Sequence, residues 1–250
     1  PPFIGAISWT FLLGPVGHIN NWYMAIFNKP DPLVNIYSIG GMIFVMSIYK
    51  YAVPYIVVLP TIKKIDASVE EAAKISGAST LRTLWDITLP LITPSILGGA
   101  LLLFMFTLAD FGVAAVLGAP NQITLMTTQI FKIIHRPDLP NNLQMAAANS
   151  IMLAVFGLVG LQLYVRLVKT DKFVVVSGKS ASVEPTKLGK LKVPVLIFLT
   201  VVVLSTTFAP VMATLATALT KAYGLPLSSG NITIRNFVNL FQIQNVRRAF

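Results

Sequence analysis

The chain has 250 residues and a formal net charge of +10; 55% of its residues are hydrophobic and only 11% are charged. Because a soluble domain is about a quarter charged, this composition excludes an ordinary soluble fold and predicts an integral membrane protein. The positive charge does not indicate a nucleic-acid partner, since the basic residues cluster between apolar runs instead of forming a patch with interleaved aromatics.

The N-terminal part of the chain predicts a partial span followed by a loop. Residues 1–14 are apolar, but they are shorter than the about 20 residues that cross a bilayer core, so we expect the end of an upstream helix or a re-entrant stretch. Residues 15–35 contain Pro, Asn and Asp and predict a loop. The chain begins without methionine and ends without a closing signal, which predicts a piece of a longer protein.

The first complete span is predicted over residues 36–59, with a kink at Pro54. Lys50 lies inside this span, and an ionisable residue at membrane depth is a functional-site hypothesis by default. The alternative is that Lys50 snorkels to the interface or faces a neighbouring helix. Both interpretations stay open on the sequence.

Residues 66–90 form a polar, helix-forming island between two apolar runs. Ser68, followed three residues later by Glu71, is a capping-box pattern that predicts the start of a short helix. Gly77 stands where this helix would end in a left-handed residue.

A second short helix is predicted from Ser79 or Thr80, either of which can cap it. Apolar residues then follow at spacings of three and four, and Pro90 is expected to stop the helix just before it. The island is therefore predicted to be two short amphipathic helices joined by a glycine elbow, which is a docking element and not a membrane span.

Three more spans are predicted, over residues 91–108, 145–168 and 193–219. Basic residues mark the segments 61–89 and 169–192, so both are expected to be cytoplasmic. The stretch 113–144 begins apolar and is expected to become a polar loop, and 221–250 is expected to be extracytoplasmic.

Asp110, Phe111 and Gly112 follow Pro90 by about 20 residues, or roughly 30 Å of helix, which predicts a position at the extracytoplasmic end of the span. Two roles fit Asp110 equally: it lines a substrate path, or it ends the helix at the interface. Together with Lys50, these three residues are the candidates for a substrate path.

The sequence predicts no catalytic residue and no metal site. Residues 177–180 contain Gly-Lys-Ser, the end of a phosphate-binding loop, but the position of the earlier glycine is occupied by Phe173, so we expect a basic linker. His18 and His135 have no Asp, Glu or Cys at ligand spacing. Nothing resembles a nucleophile–base pair.

The polar island also carries a family resemblance. It matches the pattern EAA, three residues, Gly, nine residues, I-x-L-P at every fixed position, namely Glu71, Ala72, Ala73, Gly77, Ile87, Leu89 and Pro90. The pattern resembles the EAA loop of ATP-binding-cassette (ABC) importer permeases. The resemblance implies an all-α integral membrane protein with the helix bundle of a type I ABC importer, in which the loop 61–90 is cytoplasmic and fits a cleft on the ATPase subunit.

Further segments are similar to the ferric-iron type of these permeases, in which two permease halves are fused in one chain: PPFIGAISWTFLLGPVGHIN, LADFGVAAVLG and NITIRNFVNLF. The resemblance implies that residues 1–168 are the C-terminal part of the first half and contain the loop 61–90, which we call the coupling loop. It also implies that residues 169–192 are a basic cytoplasmic linker and that residues 193–250 open the second half.

The function that the resemblance implies is that of a permease in the bacterial inner membrane that moves a small solute, with ferric iron favoured. Its implied partners are a cytoplasmic dimer of ABC ATPase subunits, a periplasmic substrate-binding protein, the second permease half in the same longer chain and the lipid bilayer. The chain is expected to bind no cofactor, because ATP is used by the partner subunit. Thiamine, aminophosphonate, polyamine and sulfate permeases share the architecture and stay open as alternatives.

Two other protein classes stay open on the residues alone. A gradient-driven secondary transporter would place paired acids or broken helices at the midplane, and here only Lys50 and Asp110 are candidates, neither with an evident partner in the sequence. A sensor protein without transport would use the two amphipathic helices to hold a cytosolic partner.

Overall fold

The computed structural model describes residues 1–65, 67–168, 189–225 and 228–249, and within these ranges the regular structure is helical apart from one isolated β-bridge between Thr220 and Ile232. The apolar composition explains the helices, because only helices and closed barrels satisfy every backbone polar group inside a bilayer. The predicted all-α membrane fold is therefore confirmed.

Four helices in the described ranges are long and apolar enough to cross a membrane: Pro2–Phe27, Leu81–Leu108, Asn142–Val168 and Lys192–Ala218. A broken pair, Ile39–Lys50 and Ala52–Ile62, makes a fifth candidate if it counts as one span. The last three spans of the sequence prediction are confirmed within a few residues, except that the one predicted from residue 91 starts earlier.

Two compact units make up the chain, one containing residues 1–49, 111–125 and 189–250 and the other containing residues 50–110 and 126–188. The helices of the first unit are α1 (Pro2–Leu13), α2 (His18–Phe27), α3 (Ile39–Lys50), α8 (Gly112–Gly118), α11 (Lys192–Val203), α12 (Ala209–Ala218), α13 (Arg235–Gln242) and α14 (Gln244–Ala249). The last residue of α3, Lys50, belongs to the second unit. The helices of the second unit are α4 (Ala52–Ile62), α5 (Ala67–Ile75), α6 (Thr80–Thr83), α7 (Leu89–Leu108), α9 (Met126–Ile134) and α10 (Asn142–Val168).

In the first unit, α1 is the central helix and packs against α2, α8 and α12. The buried core comes from α1, α3, α8 and α12 and from one residue just before α3: Ala6, Trp9, Leu12, Ile36, Met42, Val45, Met46, Val113, Ala114, Leu117 and Ala213. The ring of Trp9 meets that of Phe44 edge to face at 4.9 Å between centroids, a favourable aromatic arrangement.

One expectation for the N-terminal part of the chain is wrong. Residues 15–35 are not only a loop, since they contain α2, and α1 and α2 together form a candidate span. The polar residue Asn20 explains the difference, because its fully buried amide donates to the carbonyls of Leu13, Gly14 and Val34. It thereby satisfies the backbone where the helix is interrupted.

In the second unit, α4 and α7 are packed together, and α10 packs against both α7 and α9. The approach of α4 and α7 is close, since a Cβ added to Gly99 would lie 2.9 Å from the Cα of Pro54. Nearer the polar island, the hydroxyls of Thr61 and Ser95 are hydrogen bonded at 2.6 Å. Gly99 therefore permits the close contact of these two helices.

The predicted kink of the span 36–59 is present, but the helix is interrupted at Tyr51 and not at Pro54 itself. Proline cannot donate to the carbonyl four residues before it and its ring crowds that carbonyl, which for Pro54 belongs to Lys50. The stretch 113–144 is not mainly a loop either, because it contains α9 as well as most of α8.

The expectation that a helix stops just before Pro90 is also wrong. A π turn, Leu84–Thr88, joins α6 to α7 without interruption, and the Leu89 N–H donates to the Leu84 carbonyl. This wider turn relaxes the regular hydrogen-bond ladder where proline would break it. A second π turn, Leu204–Phe208, likewise precedes Pro210 in the span Lys192–Ala218.

Some predicted features fall outside the described residues. The linker prediction for 169–192 does so for residues 169–188, and with it the Gly-Lys-Ser sequence within 177–180. Asp66, at the start of the polar island, is also outside the described ranges.

Candidate functional site

The first helix of the polar island ends in a glycine motif. Gly77 has a φ of 82°, and the Ala78 N–H donates to the Ala73 carbonyl at 3.0 Å. This is the Schellman arrangement, in which the left-handed residue favours glycine because a side chain strains that conformation. The helix itself begins at Ala67, so Ser68 lies in its first turn and not at the cap position.

The second helix of the island is capped by Ser79, whose hydroxyl accepts a hydrogen bond from the Arg82 N–H at 3.3 Å. The hydroxyl of Thr83 donates to the Ser79 carbonyl, and Thr83 is buried. An exposed ion pair one turn apart, between Arg82 and Asp86, adds a small stabilisation to this helix. The predicted first helix and its glycine elbow are thus present in the structure, but the predicted second helix is the start of the candidate span Leu81–Leu108 and not a separate short helix.

The coupling loop 61–90, described except for residue 66, exposes large apolar side chains. Ile75 is 87% exposed, Leu81 is 70% exposed and Trp85 is 64% exposed. Beside them lies a groove of ≈ 690 Å³, lined by Ser68, Val69, Ala72, Ala73, Ser76, Ala78, Arg82, Thr83, Asp86 and Ile87. An aromatic side chain and aliphatic neighbours presented on a polar segment are typical of a protein-binding surface.

The residues of the EAA pattern fall into three places in this loop. Ala72, Ala73 and Ile87 line the groove, where the small side chain of buried Ala73 lets the two helices approach. Gly77 forms the elbow, and Leu89 and Pro90 lie in the first turn of α7. The side chain of Glu71 is outside the part that the structure describes.

Lys50 and Asp110 form an ion pair, which the sequence did not reveal. The Nζ of Lys50 lies 2.7 Å from Oδ2 of Asp110, and it also donates to the carbonyl of Phe106 at 2.9 Å. Both side chains are buried, with 7% and 8% of their surface exposed. Paired charges are the arrangement expected for ionisable residues within apolar surroundings.

This ion pair joins three segments of the second unit. Lys50 precedes the break before α4, and Phe106 lies in the last turn of α7 with Asp110 just after that helix. The hydroxyl of Thr127 in α9 donates to the Asp110 carbonyl at 2.9 Å. Thr127 had no sequence signal, because nothing in an apolar helix indicates which hydroxyl contacts a distant carbonyl.

The other two candidates for a substrate path, Phe111 and Gly112, belong to the first unit. Gly112 begins α8, and a Cβ added to it would lie 2.9 Å from the Cβ of Phe3. This glycine therefore allows close packing of α8 against α1. Phe111 precedes it and is partly exposed. Of the four candidates, the structure brings together Lys50 and Asp110.

The histidines make hydrogen bonds with neighbouring groups. His18 Nε2 lies 3.3 Å from the hydroxyl of Thr217, and His135 Nδ1 lies 2.8 Å from the carbonyl of Phe131. In the described ranges, no three His, Asp or Glu side chains lie together as metal ligands would. After α9, a hydrogen bond from the exposed Arg136 lowers the pKa of Asp138. This pair lies on the surface.

Comparison with known proteins gives a match to the family model described as "Binding-protein-dependent transport system inner membrane component", over residues 1–170. The chain is 27% identical over 182 residues to the ferric transport system permease protein FbpB of Actinobacillus pleuropneumoniae, covering 72% of this chain and 26% of that protein. It is 28% identical over 160 residues to the putative 2-aminoethylphosphonate transport system permease protein PhnU of Salmonella typhimurium, covering 63% and 56%.

A third relative is the putrescine transport system permease protein PotI of Escherichia coli, 30% identical over 117 residues, or 47% of this chain and 40% of that protein. The chain thus spans about a quarter of the length of the ferric relative, a little over half of the aminoethylphosphonate relative and two fifths of the putrescine relative. The family model covers well over half of the chain and confirms the resemblance seen in the EAA pattern. The chain therefore belongs to the family of binding-protein-dependent transport system inner membrane components and is a multi-pass protein of the inner membrane.

Proposed function

We propose that this chain is the part of an ABC importer permease that couples ATP hydrolysis by a separate subunit to the import of ferric iron. The observation that carries the coupling role is the coupling loop itself, a two-helix docking element whose second helix runs without interruption into a membrane span. The family membership supports the importer class.

The docking surface is suited to a protein partner with a cleft. Trp85 and Leu81 project from one helix and Ile75 from the other, and all three are mostly exposed. A few buried anchor residues, with tryptophan prominent among them, carry most of the binding free energy of a typical protein interface. A dimer of ABC ATPase subunits is the proposed partner, and ATP is the proposed cofactor of that subunit alone.

The loop is built to transmit movement into the span. A displacement at Trp85 passes through the π turn into α7, because Leu81–Leu108 is one helix of about 42 Å at 1.5 Å per residue. α7 carries α4 with it, since Gly99 and Pro54 are in close contact. The ATPase must bind the two access states with unequal affinity, because equal affinity would shift nothing.

The proposed substrate rests on the ferric relative, which covers a larger share of this chain than the other two do. 2-Aminoethylphosphonate and a polyamine such as putrescine are the alternatives that the relatives' names supply, and thiamine and sulfate remain alternatives from the architecture. The proposed remaining partners are a periplasmic substrate-binding protein and a second permease half in the same longer chain.

The test compares two leucine substitutions in the full-length parent protein, produced together with its ATPase. Leu81→Ala removes an exposed leucine of the loop, and Leu158→Ala removes a leucine of α10 that is 60% exposed. We expect Leu81→Ala and Trp85→Ala to weaken ATPase binding, for Trp85→Ala by about 30-fold as for an interface hot spot of about 2 kcal/mol. Leu158→Ala should bind like wild type.

Uptake in cells lacking the parent gene then tests the substrate. Cells are offered labelled ferric iron, 2-aminoethylphosphonate, putrescine, thiamine and sulfate. Restoration of iron uptake alone by wild type, and its loss with Trp85→Ala, supports both parts of the proposal. Restoration of a different solute alone overturns ferric iron and keeps the importer. Normal ATPase binding and uptake with Trp85→Ala overturns the coupling role of the loop.

A further inference from the structure

We propose that Lys50 and Asp110 form a latch that is closed in the conformation described here and opens when α7 is displaced by the coupling loop. In this proposal the two are positioning residues for alternating access, and they are not a binding site for the transported solute. The inference rests on the proposed function, because it needs a loop that moves.

A purely stabilising role does not explain a buried ion pair well. The side chains of Lys50 and Asp110 have both lost their water, and the loss of hydration offsets most of the attraction between two buried charges. Apolar residues of similar size would hold such helices together at least as firmly. A pair whose two halves separate into water or to new partners is instead suited to a contact that forms in one state and breaks in another.

The ammonium of Lys50 holds two groups at once, which makes the contact cooperative. Phe106 offers a carbonyl from the last turn of α7, and Asp110 offers a carboxylate just after the helix. The C-terminal end of a helix carries partial negative charge, so a cation is favoured there and a carboxylate is not. Withdrawal of Lys50 therefore disturbs the helix end and the carboxylate together.

The position of the latch connects it to the coupling loop. Contacts between α4 and α7 run antiparallel, from Thr61 with Ser95 near the loop, through Pro54 with Gly99, to the ion pair at the far end. The coupling loop and the latch thus lie at opposite ends of the helix that contains α7. A shift of α7 along or about its axis moves Phe106 and Asp110 relative to Lys50, which lies beyond the break that precedes α4.

The experiment uses the full-length parent protein with its ATPase in proteoliposomes, with and without its substrate-binding protein. It compares wild type with Lys50→Met, Asp110→Leu and the double variant Lys50→Met/Asp110→Leu, which keeps the site filled without charge. Lys50→Arg retains a cation, and Ser95→Ala removes an uncharged contact between α7 and α4. The readouts are protein recovered, ATP hydrolysed without the binding protein, and solute imported per ATP.

We expect the double variant to be recovered like wild type while its ATP hydrolysis without the binding protein rises at least about fivefold, within the usual range of coupling between sites. Its import per ATP should fall correspondingly, whereas Lys50→Arg and Ser95→Ala should keep the wild-type ratio. A double variant with wild-type coupling overturns the latch. Should the single variants be poorly recovered, the double variant and Lys50→Arg still decide the question.

Failure of the latch is distinguishable from failure of the proposed function. Trp85→Ala is measured in the same liposomes. If Trp85→Ala binds ATPase and imports solute normally, the coupling role of the loop is overturned, and the latch with it. If Trp85→Ala loses the ATPase while the double variant is coupled like wild type, the latch alone is overturned.

Discussion

The ammonium of Lys50 and the carboxylate of Asp110, distant in the chain, meet at 2.7 Å in surroundings that leave each side chain less than a tenth exposed. The pairing gives Lys50 a partner from another part of the chain and gives Asp110, just after α7, a cation. Both residues then depend on each other more than on the solvent.

The first prediction concerns the stability of this pair. Lys50→Met alone, or Asp110→Leu alone, should lower the free energy of unfolding by about 3–5 kcal/mol, because each leaves a buried charge without its partner. The double variant should lie near wild type. Thermal unfolding of the four proteins in detergent measures the coupling, and additive single effects would show that the two side chains do not interact.

The second prediction uses two adjacent glycines of α7 as a matched pair. Gly99→Ala should destabilise the protein by about 1–3 kcal/mol, because the new Cβ would meet the backbone of Pro54 at 2.9 Å and α4 would have to move. Gly98→Ala should be tolerated, since its Cβ would find Tyr164 at 3.6 Å, an ordinary contact. Equal unfolding temperatures for the two variants would argue against the close approach of α4 and α7.

The third prediction separates backbone strain from steric fit at the elbow of the coupling loop. Gly77 has a φ of 82°, and an added Cβ would find no atom within 4 Å. Gly77→Ala should therefore strain the loop by about 1–2 kcal/mol through its backbone alone. Gly77→Asn should be milder, because asparagine adopts the left-handed conformation more readily.

The measurement for Gly77 is the affinity of the full-length protein for its ATPase, together with the amount of protein inserted in the membrane. Insertion should be equal for wild type, Gly77→Ala and Gly77→Asn, and affinity should fall most for alanine. If asparagine weakened binding more than alanine did, strain in the elbow would not be the cause.

The fourth prediction concerns pH and Tyr223, which lies outside the candidate spans. Burial raises the pKa of its phenol to about 12, and the hydroxyl donates to the Thr10 carbonyl at 2.8 Å. Because the folded pKa is the higher one, its stabilising contribution is complete below about pH 10, where a free tyrosine begins to ionise, and is lost as the pH rises toward 12.

Absorbance titration of wild type against Tyr223→Phe isolates this residue. The difference between the two curves should show ionisation near pH 12 and none near pH 10. A difference curve centred near pH 10 would mean that the phenol is free in water. Unfolding measured over the same range should show a smaller loss of stability with pH for Tyr223→Phe than for wild type.

Local rules were sufficient for the elbow of the coupling loop and the cap of its second helix, because these two features depend on near neighbours. The elbow at Gly77 follows from the needs of a left-handed residue, and the cap at Ser79 follows from the unsatisfied N–H groups of a helix start. Hydropathy located the span of α10 and the C-terminal span within a few residues for the same reason.

The features that sequence reasoning missed depend on distant contacts or on hydrogen bonds outside the usual ladder. Asn20 was interpreted as a loop residue because its carbonyl partners, such as Val34, are visible only after folding. The partner of Lys50 likewise comes from another helix. Pro90 was expected to end a helix because proline forbids one bond of the α ladder, and the rule does not consider the π turn before it.

The π turn over Leu84–Thr88 also determines how the coupling loop is oriented relative to α7. Successive residues of an α-helix point about 100° apart around the axis, and a π turn takes up one residue more than a regular turn does. Deleting one residue from this stretch would restore a regular α-helix and rotate Leu81 and Trp85 by about 100° around the helix axis relative to α7. The direction in which the loop meets its partner therefore depends on the number of residues in the turn. Substitutions on the surface of the loop do not change that number.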